Sequence, residues 1–176
     1  MKIVSAVILS VLIGIAGPVL ADKTAGQVID DSVVQAAVKT KLLGDDFASG
    51  AAINIETRKG VVQLGGFVDS TEEAERAGAV AAAVDGVRHV DNQLHLKPGP
   101  TTVGQEVDDG LVTTRVKSLI AEQNPGTGWK VNVDTHNGVV LLTGFVGDPA
   151  TRDNVVTIAE GAKQVISVIN GIYVLD

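Results

Sequence analysis

Apolar residues at Val34, Val38 and Leu42 recur every fourth position. That spacing places them on one face of a helix opening near Asp30-Asp31-Ser32, residue types that cap helix starts. The pattern then changes period. Ile53-Asn54-Ile55-Glu56-Thr57 alternates apolar with polar, as a strand with one covered face does. Arg58-Lys59-Gly60 reads as a tight turn, and Val61 to Val68 as the returning strand, with Gly66 inside it. A glycine inside a strand marks a bulge or a close backbone approach. Ser70-Thr71-Glu72-Glu73 is a capping box before an alanine-rich stretch, in which Ala74, Ala77, Ala81 and Val84 line one side of a second helix. Small residues there let a helix lie close on a sheet. Val87, Val90, Asn92, Leu94 and Leu96 predict a third strand.

The same order returns 78 residues later, and the register holds without a gap from Ile29/Val107 to Leu96/Val174. Val112, Val116 and Ile120 repeat the first helical face. Val131-Asn132-Val133-Asp134-Thr135 repeats the alternation, and His136-Asn137-Gly138 repeats the turn. Val139 to Val146 repeats the second strand around Gly144, Asp148-Pro149 opens the second helix, and Val165, Val168, Asn170, Ile172 and Val174 repeat the last strand. The order is helix–strand–strand–helix–strand, twice, which makes two tandem domains. Domain 1 covers 29–97 and domain 2 covers 107–176, joined by a Pro/Gly/Thr-rich linker at 98–106.

Ahead of the repeat, Met1-Lys2 is followed by an apolar run from Ile3 to Ala16, then Pro18 and Val19-Leu20-Ala21. This is the pattern of a secretory signal peptide (1–21) cut after Ala21, with 22–28 a flexible lead-in. The run is shorter than the roughly 20 residues that span a bilayer. The expectation is an exported, periplasmic protein with no transmembrane segment after cleavage. Removing Lys2 leaves 13 basic against 21 acidic residues, a net charge of −8 shared equally by the halves. Such a chain is not expected to bind nucleic acid by phosphate neutralisation. With no cysteine, each half must hold together through its own core.

Gly60-Val61-x-x-Leu64-x-Gly66-x-Val68, the alanine-rich helix, and Gly86-Val87-x-x-Val90-x-Asn92-x-Leu94 together resemble a BON domain (bacterial OsmY and nodulation domain). Gly138 to Val146 and Val165-x-x-Val168-x-Asn170 repeat the pattern, with Gln164 where the family usually has glycine. The resemblance covers nearly all of the mature chain. It implies an α+β fold class, two tandem αββαβ domains, each a three-stranded sheet with two helices packed on one face. It also implies binding of phospholipid or of envelope and outer-membrane proteins, under osmotic or other envelope stress, rather than catalysis. Other readings consistent with it are a holdase for outer-membrane or secreted clients and a potassium or small-ligand module, since some relatives bind potassium.

Candidate chemistry is sparse. His89 and His95 are six apart on one strand, about 20 Å, too far for one metal. His136 lies in a turn, and all three read as solvated. Asp30-Asp31 and Asp108-Asp109 sit at helix starts and suit the cap and the helix dipole. Asn92 and Asn170 suit a bond to the backbone of a neighbouring loop. No catalytic residue, metal site or cofactor is expected. Trp129, the sole tryptophan, stands beside Lys130 after Asn124-Pro125-Gly126-Thr127-Gly128. It suits either the edge of the core or a membrane interface. The resemblance to lipid-binding BON domains makes Arg115, Lys117, Trp129 and Lys130 the candidate contact with anionic phospholipid or a protein partner, each domain adding a weak contact to an otherwise monomeric chain. Gly60, Gly66, Gly86, Asn92, Gly138, Gly144 and Asn170 are the candidate structural motif.

Overall fold

The computed structural model describes residues 30–46, 52–99, 108–123 and 130–175. The signal segment, the lead-in, most of the linker and Trp129 lie outside the described residues. The first half contains α1 (Asp31–Leu43), β1 (Asn54–Arg58), β2 (Val61–Val68), α2 (Thr71–Ala82) and β3 (His89–Leu96). The second contains α3 (Asp109–Gln123), β4 (Val131–His136), β5 (Val139–Val146), α4 (Pro149–Glu160) and β6 (Ser167–Val174). The fold is the expected α+β pair of αββαβ domains.

Local signals set the ends of the elements. Asp30, Ser70 and Asp148 cap α1, α2 and α4, each accepting a hydrogen bond from a first-turn N–H. Glu73 N donates to Ser70 Oγ at 3.1 Å, and its carboxylate reaches back past the cap to accept from Asp69 N at 3.0 Å. The hairpin turns take left-handed backbone at both central residues, Lys59 (φ 50°) with Gly60 (77°) and Asn137 (48°) with Gly138 (76°). The last strand starts two residues later than the apolar pattern predicts. Val87 and Val165 lie in the preceding turn and contribute to the cores from there.

Each sheet has its long strand in the middle. β2 pairs antiparallel with β1 and parallel with β3, and β5 pairs likewise with β4 and β6. The parallel pairing requires a crossover, which α2 and α4 supply. Val34, Val38, Leu42, Val62, Leu64, Ala77, Ala81 and Val84 form one core; Val112, Val116, Val133, Val140, Leu142, Val146, Val155 and Ala159 are the centre of the other. Each fully buried Val or Leu contributes about 1.5–3 kcal/mol. The halves therefore keep separate cores, each between its own helices and sheet.

Gly66 and Gly144 sit at the strand kinks, with φ of 144° and 122°. A Cβ on Gly66 would lie 2.6 Å from the Ala52 carbonyl oxygen, and one on Gly144 would collide with that of Lys130. Gly86 (φ 92°) makes the turn before β3, and Gln164 holds the same left-handed conformation (φ 69°) in the second half. The departure from the family pattern changes the residue, not the turn.

Candidate functional site

The sheet faces turned away from the helices are not open to solvent. They pack on each other, giving a four-layer order of helices, sheet, sheet, helices. β2 and β5 are buried almost throughout, because the helices cover one face and the other half covers the second. Leu141, Phe145, Phe67, Gln63 and Thr143 are buried here yet belong to neither helix-side core.

The contact is nearly two-fold. Asn54 Nδ2 donates to Asp134 Oδ2 at 2.6 Å, and Asn132 Nδ2 donates to Glu56 Oε1 at 3.2 Å. Asn54 is the repeat partner of Asn132, and Glu56 of Asp134, so one bond is the symmetry mate of the other. Gly65 faces Thr143, and Gln93 faces Gly171; both pairs are repeat equivalents. Asn54, Gly65 and Gln93 are neighbours across the first sheet, as Asn132, Thr143 and Gly171 are across the second. The axis runs along these two facing rungs, across the strands.

Gln63 breaks the symmetry. It is 1% exposed and fully bonded. Its Nε2 donates to the Gly171 carbonyl at 2.7 Å and to Asp91 Oδ2 at 2.6 Å, and its Oε1 accepts from the Gly144 N–H. Gln93 Nε2 holds the other oxygen of Asp91 at 2.8 Å. The repeat equivalent of Gln63 is Leu141.

This seam corrects the reading of the histidines as solvated. His89 is exposed, but His95 and His136 are half-buried. The His136 ring lies 5.9 Å from Phe67 across the seam, and His95 Nε2 is buried without a hydrogen-bond partner among the described residues. Burial pushes the Asp134 carboxyl above its ordinary range, against the opposing pull of the Lys117 charge and the Asn54 amide.

The candidate contact residues divide. Arg115 Nη1 donates to the Lys163 carbonyl at 3.1 Å and to Gln164 Oε1 at 3.3 Å, tying α3 to the turn after α4. Lys117 is exposed, and its charge reaches Asp134. Lys130 Nζ lies 3.5 Å from Glu56 of the first half and stays 77% exposed. The structure thus brings Lys117 and Lys130 to the seam's acidic border and sends Arg115 to the end of α4.

The duplicated aspartates do more than cap. Asp30 accepts from Ser32 N at 2.8 Å, and Asp108 from Leu111 N at 3.0 Å, which is the expected cap role. Asp31 instead grips the first hairpin turn, accepting from Lys59 N and Gly60 N at 2.8 Å each. Asp109 does the same for Asn137 N (2.7 Å) and Gly138 N (2.8 Å). Successive left-handed residues point both N–H groups into one concavity that a carboxylate fills. A duplicated Asp at a helix start together with a duplicated turn is a signal that could have revealed this clamp. Asn92 also departs from expectation: its amide donates to the Ala74 carbonyl of helix α2 at 2.8 Å, not to a loop. Asn170 Oδ1 accepts from Ile172 N at 3.0 Å. Gly60 and Gly138 lie against Arg88 and Ile166 of the turn before the last strand.

Among the described residues no group of three His, Cys, Asp or Glu is placed to hold a metal ion, and no helix is long and apolar enough to cross a membrane.

The chain is similar to osmotically-inducible protein Y of Escherichia coli strain K12, at 34% identity over 146 residues, covering 82% of this chain and 73% of that protein. It is 32% identical over 154 residues to a 21 kDa hemolysin of Actinobacillus pleuropneumoniae (84% and 77% covered). It is also 29% identical over 149 residues to the outer membrane lipoprotein DolP of Haemophilus influenzae (83% and 77%). The BON domain family matches residues 30–98 and again 108–176, the two structural halves. The chain belongs to the BON-domain family, as a tandem pair of BON domains of the osmotically-inducible protein Y type.

Proposed function

We propose that this chain is a non-enzymatic periplasmic protein that attaches to anionic phospholipid surfaces or exposed envelope proteins under osmotic or envelope stress. The relatives named for osmotic induction and for the outer membrane support an envelope role. The observation that carries the binding surface is the mutual burial of the two sheet faces. With those faces used against each other, each half meets a partner through its helix layer or its rims. The α3 layer exposes Leu111 (48%) and Lys117, with Lys130 on the adjacent rim. An exposed ion pair such as Lys130–Glu56 contributes little, so Lys130 is readily recruited by a headgroup. The helix layers lie on opposite outer faces, so only one can lie flat on a surface.

The test is co-sedimentation with vesicles of phosphatidylglycerol and phosphatidylethanolamine, with phosphatidylcholine vesicles as control, while following Trp129 fluorescence. Binding to the anionic vesicles with a blue shift supports the reading, and Lys117→Glu with Lys130→Glu should abolish both. No sedimentation and no shift discards the lipid surface.

A holdase reading is favoured by large apolar side chains exposed in both halves, including the repeat equivalents Val33 and Leu111. Suppression of aggregation of an unfolded outer-membrane protein, without lipid, would establish it. Loss of that effect in Val33→Ser/Leu111→Ser would locate it.

A further inference from the structure

A perfectly two-fold contact would set identical residues against each other on the axis. Asn54 and Asn132 obey this, but the axis pairs 65/143 and 93/171 each combine a glycine with a side chain. A Cβ built on Gly65 would lie 2.6 Å from Thr143 Oγ1 and 2.7 Å from its Cγ2. One built on Gly171 would lie 3.1 Å from Gln93 Cγ and Oε1. Neither Gly65 nor Gly171 has a left-handed backbone, so neither is glycine for conformational reasons. At Gly65 the opposite half alone fills the space, and at Gly171 the opposite half fills it together with the Leu142 carbonyl of its own half, also 3.1 Å away. Thr143 is 1% exposed and β-branched, so its side chain has little freedom to move aside.

The hollow and the knob alternate between halves. The first half offers a hollow at Gly65 and a knob at Gln93. The second offers a knob at Thr143 and a hollow at Gly171. First half on second half matches knob to hollow twice. First on first would press Gln93 against Gln93 and leave Gly65 over Gly65. Second on second would press Thr143 against Thr143 and leave a void at Gly171.

We infer that the sheet face of each domain is a heterospecific docking surface. Its steric pattern at 65/143 and 93/171 accepts the other half of the chain and disfavours a like half. The duplicated domains have thereby become non-interchangeable, and the broadest flat surface of each is reserved for its sister. This goes beyond the proposed envelope role and does not depend on it.

The test uses the full chain and exchanges the residues across the axis. Three variants are compared with wild type: Gly65→Thr, Thr143→Gly, and the double exchange. The double variant has the wild-type composition, so intrinsic strand preferences largely cancel. Thermal unfolding gives one readout. The absence of native cysteine allows a second: the rate at which Glu56→Cys and Asn132→Cys, added to each background, form a disulfide across the seam.

Gly65→Thr should lower Tm by roughly 5 °C or more, as overpacking does in a chain this size, and slow the disulfide at least about tenfold. Adding Thr143→Gly should restore both. If the double exchange is no better than Gly65→Thr, or Gly65→Thr changes neither readout, the inference is overturned. Should Gly65→Thr fail to fold, the double exchange must fold, and its failure also overturns the inference. Gln93→Gly with Gly171→Gln repeats the test at the second axis position, where failure of the exchange to recover the loss from Gly171→Gln counts equally against it.

Discussion

Replacing Gln63 with leucine tests what holds the two sheets together. Leu141 occupies the repeat-equivalent position, so leucine suits this point of the β2/β5 face, and the volume change is small. What changes is polar. The substitution removes the acceptor for the Gly144 N–H and the donor to the Gly171 carbonyl, both buried between the sheets. Asp91 keeps its bond from Gln93 and loses less. A buried backbone group left unpaired costs about 1–3 kcal/mol, and two such groups give about 2–6 kcal/mol. At this chain length that corresponds to roughly 4–24 °C in Tm. Equilibrium denaturation of Gln63→Leu against wild type measures it, with the disulfide between Glu56→Cys and Asn132→Cys reporting seam closure. A loss below about 1 kcal/mol with normal closure would refute the assignment of Gln63 as a buried link between halves, since the orphaned groups would have found other partners.

The remaining expectations concern both halves. Asp31→Ala and Asp109→Ala each remove two charge-assisted bonds to a turn and should cost about 1.5–3 kcal/mol, read by denaturation, whereas a surface-neutral result would deny the clamp. Gln164→Gly relieves a left-handed glutamine at the expense of the Arg115 contact and should stabilise by about 0.5–1 kcal/mol; destabilisation would contradict the strain. Gly144→Ala drives a methyl into the Lys130 carbonyl and should cost at least about 3 kcal/mol or prevent folding, and wild-type stability would show that the kink relaxes. Asp134 has its folded-state pKa raised, so its ionised form costs stability at neutral pH. That cost is relieved as pH falls through the raised value toward the ordinary 3.8. Asp134→Asn, which keeps an acceptor for Asn54, should exceed wild type in stability at pH 7, with the gap closing on acidification; a gap that widens would reverse the sign.

The elements were legible because the 78-residue repeat states each signal twice. Ser70 and Asp148 cap the same helix start with different chemistry, and Lys59-Gly60 and Asn137-Gly138 adopt the same turn. The seam was not legible from the first half. Its outer face carries Asn54, Glu56, Gln63, His89, Asp91, Gln93 and His95, which reads as a wetted sheet face. The second half held the clue. Val139, Leu141, Phe145, Ile169 and Tyr173 make the outer face of β5 and β6 apolar as well, and a sheet apolar on both faces is covered on both. The glycines at 65 and 171 gave no signal alone, because the reason for each lies on a strand about 80 residues away. Lys117 and Lys130 were visible as charges, but their acidic neighbours, Asp134 of the same half and Glu56 across the seam, were visible only in three dimensions.

The two BON domains close on each other through their sheet faces, and nuclear Overhauser contacts in the full chain report that closure. Cross-peaks are expected between the Phe67 and His136 rings, and between the Gln63 side-chain amide and the Gly171 α-protons. Intact intradomain contacts for both cores with neither of these cross-peaks would mean that the domains stand apart and that the seam does not form.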